Sequence, residues 1–73
     1  MKYYAVQEKT TGRFVAGTDF SRADGVPRQM FASECRAPLL LPEIKVQSEL
    51  LRRRIDPKRY RVVIVEIRTV AER

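Results

Sequence analysis

Six of the fifteen basic residues in this 73-residue sequence fall within ten positions: Arg52, Arg53, Arg54, Lys58, Arg59 and Arg61. Only Asp56 opposes them there. Five of the six are arginines, whose planar guanidinium forks onto phosphate or carboxylate oxygens. Arg52, Arg53 and Arg54 are consecutive, so on a helix they fan over roughly 200° and at least two must face water. Two readings follow. The charges solvate the surface and complement the negative end of a helix dipole, or they meet an anionic partner, either a nucleic-acid backbone or an acidic protein surface. A net charge of +6 satisfies the electrostatic criterion for nucleic acid. No aromatic ribonucleoprotein motif, helix-turn-helix spacing or zinc finger accompanies it, so the pattern predicts polyanion contact without base readout.

Other chemistries find no residues. With no histidine there is no Ser–His or Cys–His nucleophile pair. One cysteine and no histidine exclude the common zinc sites. Three scattered glycines, Gly12, Gly17 and Gly25, form no phosphate-cradling loop. Nine acids are spread along the chain with nothing to mark a catalytic pair. The expectation is a non-catalytic protein without metal or cofactor. Cys35 reads as a small hydrophobe half-buried beside Phe31, against the alternative of a thiol activated by Arg36.

Two further segments have surface potential. Tyr3, Tyr4, Phe14 and Phe20 cluster near the N-terminus, either as core or as rings on which bases stack. Leu39, Leu40 and Leu41 stand between Pro38 and Pro42. Three successive leucines cannot all point inward from an extended stretch, so they plug the open end of a core or present a partner surface.

These residues need elements to position them. Lys2 to Glu8 alternates with aromatic and β-branched residues, and Thr10-Thr11-Gly12 supplies turn chemistry, predicting a β-hairpin over about residues 2–20. Ser21, Asp24, Gly25 and Pro27 predict an exposed connection, and RQMFAS a short third strand. Glu43 to Ile55 is the helix candidate, with Ile44, Gln47, Leu51 and Ile55 on one face beside Leu50, and with Asp56-Pro57 as its stop. RYRVVIVEIRTV is apolar on both faces at its middle, which predicts a central strand covered on one side by the helix. The other side would be covered by the hairpin, a loop or a second copy of the chain. The resulting fold class is α+β: one small domain over residues 1–73, a mostly antiparallel sheet and one helix packed on a face.

At this length folding buries only about 60–65% of the unfolded chain's surface, so the core is small. A single cysteine forms no internal disulfide. No segment approaches the roughly 18 apolar residues of a membrane span, and MKYYAVQEKTTG turns polar too early for a signal peptide. The expected location is cytoplasmic, away from membranes.

KYYAVQEKTTGRFVAGTDF at the start, with LLRRRIDPKRYRVVIVEI later, resembles small uncharacterised proteins encoded in phage and prophage genomes. The resemblance covers most of the chain and carries no diagnostic motif, so it assigns no functional residue. It implies an accessory binder: an inhibitor of host enzymes or defence systems, or a nucleic-acid-associated factor. The first expectation is therefore a nucleic-acid partner held by the basic cluster. The alternative is an interaction or inhibitor module, self-association included, using the leucine loop and the apolar face of the last strand.

Overall fold

A computed structural model describes residues 2–67 of the chain. Four strands and one short helix occur in the order β1 (Lys2–Glu8), β2 (Val15–Asp19), β3 (Arg28–Phe31), a 3₁₀ turn (Glu43–Lys45), α1 (Val46–Arg52) and β4 (Tyr60–Glu66). The class is α+β with antiparallel pairing, as the alternation and proline placement predict.

The pairing itself departs from the expected hairpin. β1 pairs with β4, from Lys2 opposite Glu66 to Glu8 opposite Tyr60, and β2 pairs with β3 in a separate ladder. The turn between β1 and β2 still forms. Gly12, at φ +75°, takes the left-handed conformation its lack of Cβ permits, and its N–H donates to the Glu8 carbonyl at 2.9 Å. Beyond the Glu8–Arg13 hydrogen bond and the Gln7–Phe14 bridge the two strands part. β1 prefers the longer partner, because Val62 to Val65 offers it four consecutive apolar residues.

β1, not β4, therefore has company on both sides. Its second edge is met by Phe14 and by Leu41, whose N–H and carbonyl exchange 2.8 Å hydrogen bonds with Tyr4. β4 is an edge strand among the described residues, which corrects its expected central position. Its Thr69 and Val70 extension lies outside the described residues.

Val6, Val15 and Tyr60 form the core cluster, with Phe31, Leu50 and Ile55 packed against it. Ala5 and Leu41 complete the buried apolar set. The helix phase differs from the expected one. Ile44 and Leu51 are exposed, and the inward stripe is Val46, Glu49, Leu50 and Arg53. Both stripes have helical spacing, and the contact between Leu50 and the core selects between them.

α1 also ends before Asp56-Pro57. The Ile55 N–H donates to the Leu50 carbonyl at 3.0 Å and the Arg54 N–H to the Leu51 carbonyl at 3.1 Å. With Arg54 at φ +51° this is a Schellman cap, and its apolar closing pair is Leu50 with Ile55. Arg54 occupies the position that glycine usually fills. No helix among the described residues is long and apolar enough to cross a membrane.

Candidate functional site

The six clustered cations separate in space. Arg53 is turned inward, its side chain 13% exposed. Its Nε donates to Glu49 Oε2 at 2.8 Å and its Nη1 to the Thr18 hydroxyl at 3.0 Å. Thr18 in turn donates to Gln29 Oε1 at 2.7 Å, and Gln29 Nε2 donates to the Arg53 carbonyl at 2.8 Å. This closed circuit ties the end of α1 to β2 and β3. Arg52 shares the same Glu49 carboxylate at 3.3 Å and lies 5.0 Å over the Phe20 ring. The hydrogen bond from Arg53, with Arg52 beside it, holds the Glu49 carboxyl below its ordinary pKa. Arg53 is thus committed within the fold, whereas Arg52 shares Glu49 but keeps its side chain 55% exposed.

Arg61 pairs in register with Gln7 on the face opposite Val62 and Tyr60. Lys58 is exposed, with its N–H held by Asp56 Oδ1 at 2.9 Å. Arg54 and Arg59 remain, and both line one cleft of about 330 Å³.

That cleft contains two arginines absent from the expected cluster, Arg22 and Arg28. Arg28 opens β3 and Arg22 lies in the β2–β3 connection. The connection is shaped by Asp24, whose Oδ1 accepts the Val26 N–H at 3.0 Å while its Oδ2 accepts from Arg22 at 2.9 Å. Four arginines, two from residues 22–31 and two from residues 54–60, thus line one cleft in which Asp56 is the lining carboxylate, while Arg22 and Arg59 are also paired with Asp24 and Glu8. Nothing in the local sequence marks Arg22 and Arg28. They flank an aspartate, a glycine and a proline in a segment of near-neutral balance, some thirty positions before their spatial neighbours.

Phe31 and Tyr60 also border the cleft. Arg13 stacks over the Phe31 ring at 3.9 Å, and Tyr60 is buried, which pushes its phenol pKa up. Behind Arg59 lies Glu8, the buried carboxylate of the core region. It accepts from the Thr11 hydroxyl and from Arg13 at 3.3 Å, with Arg59 at 3.6 Å. The Thr11 hydrogen bond, followed by the two arginines, holds Glu8 below its ordinary pKa despite burial. This anchored charge holds Arg13 and Arg59 on the same side of β1.

Of the three leucines between Pro38 and Pro42, one is buried and two are half-buried. Leu41 is buried and bonded to β1, Leu39 donates its N–H to the Val15 carbonyl at 2.9 Å, and Leu40 lies half-buried beside Phe14 and Ala5. Cys35 is exposed rather than tucked beside Phe31, because a tight Ser33–Arg36 turn lifts it outward.

Compared with known proteins, the chain matches no protein-family model, no curated protein sequence and no solved structure.

Proposed function

We propose that the protein is a small non-catalytic binding module for nucleic acid, holding the phosphate backbone in the cleft of Arg22, Arg28, Arg54 and Arg59. The gathering of these four arginines along one cleft, with Asp56 as its lining carboxylate, is the observation that carries the reading. Guanidinium offers bidentate geometry to phosphate, and the net charge of +6 draws polyanions from a distance. Neither ring at the cleft offers a base a free face, since Arg13 covers Phe31 and Tyr60 is buried. Contacts are therefore to phosphates and independent of sequence. Lys58, exposed next to Arg59, extends the positive field. An exposed Cys35 thiol fits a reducing compartment such as the cytoplasm.

Fluorescence anisotropy with single- and double-stranded oligonucleotides across a salt series tests this. Binding should weaken steeply with salt as counterions are released. It should be lost in the Arg28→Glu, Arg54→Glu, Arg59→Glu triple variant and kept in Arg61→Glu. Absence of binding at low salt, or affinity indifferent to salt, rejects the reading. Binding to polyglutamate as tight as to oligonucleotides would make the partner an acidic protein.

A further inference from the structure

The arginine cleft has an apolar wall that phosphate binding leaves unused. Val26 and Pro27 line it beside Arg22, Arg28, Arg54 and Arg59. Val26 is 53% exposed and stands outside the core cluster. The loop that presents it is ordered by its own hydrogen bonds. Gly25, at φ +74°, donates its N–H to the Arg22 carbonyl at 3.1 Å, and the Val26 N–H donates to Asp24 Oδ1 at 3.0 Å. A loop fixed in advance loses little entropy when a ligand arrives. At about 330 Å³ the cleft lies at the small end of the range for small-molecule sites, about 300–1,000 Å³. Guanidinium groups and an apolar surface thus share one space of the size that suits a single small unit.

We propose that the cleft takes one unstacked nucleotide of a single strand, its phosphate on the arginines and the face of its base on Val26 and Pro27. This assignment rests on the nucleic-acid function proposed for the same cleft. A duplex keeps its base faces stacked inside and shows a protein only phosphates, sugars and groove edges. It therefore leaves the Val26–Pro27 surface uncovered. A single strand can splay a base outward, and apolar side chains then receive its face. Arg13 covers Phe31 and Tyr60 is buried, so the aliphatic pair supplies the contact that the rings do not. Arg28 follows Pro27 directly in sequence, so adjacent residues serve base and phosphate. Aliphatic packing does not tell one base from another, and recognition stays independent of sequence.

Fluorescence anisotropy at fixed ionic strength compares oligothymidylate, an abasic strand carrying the same phosphates, and a duplex of the same length. Each is titrated with the full chain as wild type and as Val26→Ser, whose fold is checked by circular dichroism. Because a base covers the exposed half of Val26, oligothymidylate should bind wild type about fivefold tighter than the abasic strand. Val26→Ser should erase that difference, keep the salt slope and leave duplex affinity unchanged. Equal affinity of wild type for oligothymidylate and the abasic strand, both steeply salt-dependent, overturns the base contact while the phosphate cleft stands. No binding of any probe at low salt rejects the cleft's proposed function and this assignment with it. A preference that survives in Val26→Ser, or a loss on duplex as large as on the strand, places the base contact elsewhere and overturns the proposal equally.

Discussion

The Arg53 guanidinium donates to the Thr18 hydroxyl at 3.0 Å, across thirty-five positions of sequence, and this bond clamps the end of α1 to β2. Arg53→Ala removes it together with the Glu49 bond and leaves polar groups of a half-buried network underserved. We expect a loss of about 2 kcal/mol of folding stability. Thr18→Val should cost about 1 kcal/mol, and a double-mutant cycle should show coupling of about 0.5 kcal/mol or more. Urea denaturation measures all three. Additive effects would mean that the clamp contributes nothing.

Arg54 is predicted to move stability and binding in opposite directions. Its left-handed backbone costs a non-glycine residue roughly 1–2 kcal/mol, part of which glycine returns as extra freedom in the unfolded chain. Arg54→Gly should therefore raise stability by about 0.5–1 kcal/mol while weakening oligonucleotide binding. Thermal melts and anisotropy on the same sample separate the two effects. A stability loss would show that the Arg54 side chain contributes more to the fold than its backbone strain removes.

Each cleft arginine that contacts a phosphate should contribute to the salt dependence. Arg28→Ala is expected to lower the slope of log affinity against log salt by about 0.9 on duplex. Arg61→Ala, on the other face, should leave the slope unchanged. Equal losses from both would replace the cleft with a diffuse positive surface.

Acid sensitivity follows from three carboxylates held below their ordinary values: Glu8 through Thr11, Asp19 through Ser21 and Glu49 through Arg53. A depressed folded pKa means that the folded state binds fewer protons than the unfolded chain. The stabilisation is complete above the ordinary values of 4.5 for the glutamates and 3.8 for the aspartate. It is lost as pH falls through the lower folded values. Urea midpoints between about pH 3 and pH 7 should drop on the acid side, with a shallower drop in Glu8→Gln. A variant curve as steep as wild type would remove Glu8 from the account.

Cys35 should react with a thiol reagent in the native protein at the rate of the urea-unfolded chain, because the Ser33–Arg36 turn exposes it. Strong protection in the native state would restore the buried position first expected from sequence.

The sequence by itself determined what local chemistry controls. Period-two alternation made β1 and β4 strands, Gly12 made the first turn, prolines bounded the helical segment, and composition made the molecule basic. Those properties depend on neighbours a few residues apart, and the α+β class follows from them. Partner choice was not legible there. A strand with two apolar faces suits a central or an edge position equally, and only chain closure put Leu41 and Phe14 beside β1 while leaving β4 at the margin. The helix had two stripes of equal spacing, and docking of Leu50 chose the one that turns Arg53 inward. The basic cluster was therefore visible as a run of charge but not as a site. Two of its members became partners of Glu49, Arg61 faced the other side of the sheet, and Arg54 and Arg59 were joined along one cleft by Arg22 and Arg28 from a distant loop and strand. Long-range packing decides such convergence, because guanidinium groups thirty residues apart meet only after the segments between them have folded.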